Sequence, residues 1–271
     1  MGYRVLAIAS ASIDTCDITR EEAEKNLDFL GLLVLENKLK AKTEEIIQKL
    51  NDADILSVMI TGDNLNTACA IAMDCHILDN GREIYQVLYE DFKIKKIPCK
   101  KLQAAYDLEE DDPEMAAMQR KRASTIRMDK FDESELIIEG SVFKQIYKSF
   151  SKNEEPEEAL KSPAFREILR NCSVYARTTP EQKQQIVALL KVLKAEEDTL
   201  VGFCGDGAND TLALKEADIG LSLSLDDASL AAPFVSTDTE LTSVENLIIE
   251  GRGAITCNFQ NFKYFLYLSI V

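Results

Sequence analysis

Residues 205–210 read Gly-Asp-Gly-Ala-Asn-Asp and follow the apolar run Leu200–Cys204. Asp206 and Asp210 stand four positions apart, threaded between glycines at what the pattern predicts to be a strand end. Such a pair suits magnesium, which takes one or two carboxylates together with waters and phosphate oxygens. Gly205 and Gly207 allow a sharp turn and a close approach of backbone to ligand. A spacing of four puts Asp210 one helical turn beyond Asp206, on the same side. Asn209 can hydrogen-bond a phosphate or orient a carboxylate. Two further signatures sit at predicted strand ends. Thr61-Gly62-Asp63 follows the apolar run Ile55–Ile60, where a hydroxyl and backbone N–H groups at a helix start can hold phosphoryl oxygens. Lys183, on a helix after Ser173–Arg177, can offset the charge spread over a transferring phosphoryl group. Alone, Thr61–Asn64 is an ordinary turn with a helix cap, and Lys183 an ordinary helix lysine. All three in this order point to phosphoryl transfer.

The elements that must position these residues alternate between strand and helix. Residues 2–10 read as a strand, followed by a short acidic helix with a cap. Phe29–Leu35 is a continuous apolar run, the pattern of a strand buried on both faces in a parallel sheet. Helical spacing covers Lys42–Leu50, and Asn64 is placed to cap a helix through Met73. Further on come a strand at 135–140, a helix at 141–150 and a short strand at 173–177. An amphipathic helix then opens with Pro180 in its first turn. Strands at 200–204, 219–224 and 233–236 and a last helix from about 242 complete the pattern. The expectation is an α/β fold: a Rossmann-like parallel sheet with flanking helices, whose ligands gather at the carboxyl ends of the strands. Residues 105–130 read as an exposed charged insertion, acidic at 109–112 and basic at 120–122. Within it Arg-Lys-Arg-Ala-Ser-Thr matches a basic-directed kinase site at Ser124, a pattern so short that a solvated loop is the preferred reading.

Composition narrows the partners. The net charge is −16 and no long basic stretch occurs, which disfavours nucleic acid, whose phosphates need clustered Lys and Arg. The seven cysteines form no Cys-x-x-Cys pair, arguing against a disulfide framework and a zinc site and for a reducing, cytosolic setting. Cys75 beside His76 lacks the further ligands a metal would need. No secretory signal opens the sequence, and no apolar run reaches the ~18 residues of a membrane span. Residues 262–271 are nonetheless apolar and aromatic.

Thr61–Asn64, Thr179–Lys183 (TPEQK) and Gly205–Ser224 (GDGANDTLALKEADIGLSLS) together resemble the phosphorylation domain of a P-type ATPase, in the haloacid-dehalogenase-like superfamily. The resemblance covers about 25–80 and 171–271 and is patchy between. Residues 36–40 (ENKLK) stand where many ion pumps have a DPPR-like segment. With 226–234 and 250–265, they resemble the type-five subgroup and its branch linked to polyamine export from lysosomes. The resemblance implies a remnant of the nucleotide-binding domain at 1–24, the phosphorylation domain at 25–257 and the start of a transmembrane helix at 258–271. It implies Mg2+ and ATP as cofactors. Asp206 would bind magnesium with Asp210 in support and Asn209 near the phosphate. Thr61 and Gly62 would hold the phosphoryl group, Lys183 would neutralise it, and Asp63 and Lys40 would approach the nucleotide. The implied cargo is a cation, a polyamine in the branch it resembles. The implied setting is a membrane, endosomal or lysosomal, reached through helices outside this sequence.

One departure stands out. The family's nucleophile, an aspartate in a DKTGT motif after an apolar strand, has no counterpart here. Asp14 and Asp17 follow the wrong strand, lack the lysine and glycine, and read as a loop and a helix cap. Covalent aspartyl-phosphate formation needs that carboxylate. The expectation is therefore a pump segment that is inactive alone. A free-standing magnesium-dependent phosphatase of the same fold would carry its own DxDxT-like nucleophile near the N-terminus, and none is present. A non-catalytic regulatory fragment would use strand 2–10 and the apolar C-terminus as attachment surfaces. Incubating the isolated chain with labelled ATP should give no acid-stable phosphoprotein; label on Asp14 or Asp17 would overturn this account.

Overall fold

Leu136, Ile137 and Ile138 are all fully buried. Successive side chains of a strand point to opposite faces, so this strand is covered by apolar layers on both sides. The computed structural model in which this is seen describes residues 4–12, 19–35, 39–79, 82–90, 93–98, 134–151, 153, 155–225 and 230–270. Asp14, Asp17, Ser124 and the charged insertion expected at 105–130 lie outside the described residues.

In chain order the elements up to the gap are β1 (Arg4–Ser10), α1 (Arg20–Ala23), β2 (Asp28–Leu35), α2 (Thr43–Asp52), β3 (Met59–Ile60), α3 (Leu65–Asp74), β4 (Ile84–Glu90) and β5 (Lys93–Pro98). After it come β6 (Glu135–Glu139), α4 (Gly140–Phe150), α5 (Pro156–Ala159), α6 (Pro163–Asn171), β7 (Cys172–Ala176) and α7 (Pro180–Ala195). The last group is β8 (Gly202–Gly205), α8 (Thr211–Glu216), β9 (Ile219–Ser222), β10 (Phe234–Val235) and α9 (Thr242–Ile270).

A five-stranded sheet runs in the order β3-β7-β6-β4-β5. Its first four strands are parallel, and β5 returns antiparallel along the edge. One face packs Leu136, Ile138 and Tyr175 against Phe143, Tyr147, Phe165 and Ile186 from the helices after β6 and β7. The other packs Ile137, Val174 and Ala176 against Leu65, Ala68 and Ala72 of α3. This is the expected Rossmann-like arrangement, with helices on both faces. A second parallel sheet is ordered β10-β9-β8.

Several local expectations are met for visible reasons. Asn64 caps α3, its side chain accepting the Thr67 N–H at 2.9 Å. Thr179 caps α7 with Pro180 in the first turn, where the missing proline N–H is not needed. β4, β5 and α6 fall in the middle of the chain, where the pattern had suggested little.

One expectation is corrected. Phe29–Leu35 does form a strand, but it pairs antiparallel with β1 in a two-stranded ribbon and joins neither parallel sheet. Its apolar side chains are exposed on both faces: Phe29 by 65%, Leu30 by 64% and Val34 by 54%. A continuous apolar run signals that both faces are made to be covered; it does not say by what. The run also places the paired strands β1 and β2 on either side of residue 24.

α9 is 29 residues long and largely exposed. Lys49 of α2 holds its first turns through Glu245 at 3.0 Å. Among the described residues, no helix is long and apolar enough to cross a membrane.

Phe143 centres the aromatic packing of the main core, with ring centroids 5.8 Å from Tyr147, 6.1 Å from Tyr175 and 6.4 Å from Phe165. Phe143→Ala should cost about 3–5 kcal/mol, measured by denaturant unfolding, with the cooperative transition kept.

Candidate functional site

The β3–α3 loop is built onto the strand beside it. The Thr61 N–H donates to the Tyr175 carbonyl at 2.9 Å, continuing the β3–β7 ladder past the end of β3. The Asp63 N–H then turns back to the Thr61 Oγ1 at 3.1 Å, and that hydroxyl lies 3.4 Å from the Asp63 carboxylate. Arg177 and Thr178, just after β7, lock this turn from the other side. The Arg177 N–H donates to the Asp63 carbonyl at 2.8 Å and the Thr178 N–H to the Thr61 carbonyl at 3.0 Å. The Thr178 hydroxyl donates to that same Thr61 carbonyl at 3.0 Å. Arg177 takes a left-handed backbone, φ 50°, a conformation that costs a non-glycine residue free energy and that these bonds hold in place.

Thr179 follows directly and starts α7. Its hydroxyl accepts the Gln182 N–H at 3.4 Å, and the Gln182 amide oxygen accepts the Thr179 N–H at 3.0 Å, a closed capping box. Lys183 is the next residue. Its Nζ reaches the Asp210 Oδ1 at 2.7 Å, with both side chains about nine-tenths buried. An unbroken chain of contacts thus runs from Thr61 through Thr178 and the start of α7 to Asp210.

Asp210 is held from two more directions. The Gly207 N–H lies 3.4 Å from its Oδ2. A Cβ at position 205 would come within 2.6 Å of that oxygen, so only glycine leaves room for the carboxylate against the end of β8. The close approach expected of Gly205 is therefore made to Asp210. Asp206 and Asn209 are exposed on the same loop. The backbone becomes helical only at Ala208, in a single 3₁₀ turn through Asp210. Asp206 and Asp210 are consequently not neighbours on one helical turn, as a spacing of four had suggested; Asp210 turns inward to Lys183 while Asp206 faces solvent.

Lys40 lies apart from this chain of contacts, donating to the Thr239 carbonyl at 2.6 Å. Its charge still acts at the end of β8. Burial, reinforced by Asp206 and Asp210 and opposed by Lys40, pushes the Cys204 thiol up to about 12. Cys204 is thus an inert thiol at neutral pH. Among the described residues no group of three or more His, Cys, Asp or Glu side chains is placed to hold a metal; a magnesium site of one or two carboxylates falls below that number.

Sequence reasoning passed over Thr178, Arg177 and Gln182. Thr179-x-x-Gln182 is the signature of a capping box and was legible; the bonds from Arg177 and Thr178 to the β3–α3 loop span more than a hundred residues and leave no local trace.

The fold and the strand-end loops are those of a Rossmann-like, haloacid-dehalogenase-like α/β domain. No family model matches the sequence. Over 280 aligned residues, the whole of this chain, it is 35% identical to the vacuolar cation-transporting ATPase YPK9 of Saccharomyces cerevisiae, covering 18% of that protein. It is 33% identical to the probable cation-transporting ATPase 13A5 of Homo sapiens and 34% to the polyamine-transporting ATPase 13A3 of Mus musculus, covering all of this chain and 22% of each. The chain is homologous along its whole length to the P-type cation- and polyamine-transporting ATPases, and spans about a fifth of the length of these relatives.

Removing one partner of a buried ion pair strands the other charge. Asp210→Ala should destabilise the fold by about 3–5 kcal/mol, and by clearly less in a Lys183→Met background, as read from denaturant unfolding of the four variants of the cycle.

Proposed function

We propose that this chain is a segment of an ATP-driven membrane cation pump and supplies the magnesium- and phosphoryl-binding part of its aspartyl-phosphate site. The contact chain from Thr61 to Asp210 carries the reading, because it lets three loops separated in sequence act as one rigid support. The expected division is a nucleotide-binding-domain remnant at 1–24, the phosphorylation domain at 25–257 and the start of a transmembrane helix at 258–271. Because β1 pairs with β2 across residue 24 and neither joins a parallel sheet, the first boundary is better drawn after β2.

In this reading a carboxylate oxygen from a strand outside this sequence attacks the γ-phosphorus of ATP. The new O–P bond forms as the bond to the bridging oxygen breaks, and ADP leaves with that oxygen. Among the described residues β3 and β8 are each paired on one side only, and either edge would accept an apolar strand delivering the nucleophile. The Thr61 hydroxyl and the N–H groups around Gly62 hold phosphoryl oxygens at the start of α3. Lys183 offsets their charge from a nearly buried position, where electrostatic attraction is stronger than in water. Asp63 and Lys40 would approach the nucleotide, Lys40 by leaving the Thr239 carbonyl it meets here.

The donor set fits magnesium. Asp206 offers an exposed hard-oxygen carboxylate, while both oxygens of Asp210 are already engaged, by Lys183 and by the Gly207 N–H. Asp206 would hold the ion directly, Asp210 would support the site through Lys183, and Asn209 would meet the phosphate. Bound magnesium would supply charge neutralisation on the phosphate oxygens. The vacuolar and polyamine-transporting relatives support a cation as cargo, with polyamine the favoured class. With one relative named as vacuolar, the proposed setting is an endosomal or lysosomal membrane, this segment facing the cytosol.

In the full-length protein, Asp206→Asn should weaken the apparent magnesium affinity by more than the roughly 10–100-fold that loss of an outer-sphere partner costs and slow phosphoenzyme formation. Unchanged magnesium dependence would remove Asp206 from the metal site.

A further inference from the structure

We infer that Gln182 is a positioning residue for Lys183, tying the first turn of α7 to the end of β6; the inference deepens the phosphoryl-site reading and rests on it. Gln182 is 7% exposed, and both the oxygen and the nitrogen of its amide are hydrogen-bonded. The oxygen accepts the Thr179 N–H at 3.0 Å, and Nε2 donates to the Gly140 carbonyl at 2.9 Å. A capping box requires only an acceptor at this position, and glutamate serves there as well as glutamine. The bond to Gly140 requires a donor, which an ionised glutamate lacks. The second bond, not the cap, is the physical reason for glutamine here.

Gly140 is where the bridge gains its leverage. It follows β6, the neighbour of β7 in the sheet. A Cβ on it would run into the Gln182 amide oxygen and come within 2.6 Å of the Arg177 carbonyl. The residue that anchors Gln182 therefore also packs against the loop whose N–H groups hold Asp63 and Thr61. One contact set fixes both the orientation of the first turn of α7 and the turn that carries Thr61. Lys183 is the next residue after Gln182, and its backbone N–H closes on the Thr179 carbonyl at 2.9 Å. Any tilt of this turn moves the Lys183 ammonium, and misplacement of about 1 Å in such a group can cost 10²-fold in rate.

The test uses the full-length protein and measures phosphoenzyme formation from ATP, with variants compared at equal folded fraction. Gln182→Glu keeps the capping acceptor and removes the donor; Gln182→Met and Gly140→Ala break the same bridge in other ways should the buried carboxylate hinder folding. The expected result is a fall in kcat of about tenfold or more with KM for ATP within about twofold. In a Lys183→Met background the Gln182 change should add nothing. Wild-type kcat in all three bridge variants, or an equal further loss in the Lys183→Met background, would overturn the positioning role while leaving the site reading intact. If Lys183→Met itself leaves phosphoenzyme formation unchanged, the site reading falls and the inference falls with it.

Discussion

Directed polar contacts along one helix help to set how the two parallel sheets sit. α7 turns Ile186, Leu189 and Leu193 into the main core. From its other side Lys183 reaches Asp210 at 2.7 Å and Lys191 reaches the Glu216 carbonyl at 2.5 Å. Asp218, 3.6 Å from Lys191, passes the contact on by accepting the Val201 N–H at 2.9 Å, just ahead of β8. An apolar seam tolerates sliding, because dispersion and burial are nearly indifferent to direction. The two lysine contacts do not: each exists only while its donor and acceptor stay in register. Placing the loop 205–210 relative to Thr61 is therefore a matter of a few directed bonds along α7, with Lys183–Asp210 the most buried of them.

That dependence explains the small residues nearby. Asp210 can reach Lys183 because position 205 carries no side chain, and Gln182 can reach the β6 end because position 140 carries none. In both places a carboxylate or amide occupies the volume a methyl group would otherwise take. These glycines serve close packing of polar groups; neither has a positive φ.

Much of this was legible in the sequence, and the limits have physical causes. Asn64 and Pro180 mark helix starts because capping is local chemistry, decided within four residues. Thr61 and Asp206 stand just past strand ends and Lys183 in the first turn of the helix after one, the positions that the apolar runs mark in such folds. What failed was any inference from short spacing across a turn. Asp206 and Asp210 looked like helical neighbours, yet the helix starts between them, and the partner of Asp210 lies 27 positions away. Phe29–Leu35 read as an interior strand because hydrophobicity reports the need for cover and not its source. The ribbon of β1 and β2 shows that need unmet among the described residues.

α9 is long and is tied to its neighbours at one end only among the described residues. At 1.5 Å per residue its 29 residues extend about 43 Å. The near end is pinned by Lys49–Glu245 at 3.0 Å and by the Ser236–Ser243 hydroxyl pair at 2.7 Å, the latter one residue past β10. A rotation of about 5° at that end would displace the far end by about 4 Å. Gly251 and Gly253 interrupt α9 with nothing packed beside them, and each weakens the helix by about 1 kcal/mol relative to alanine. The helix is therefore most easily bent about a third of the way along its length.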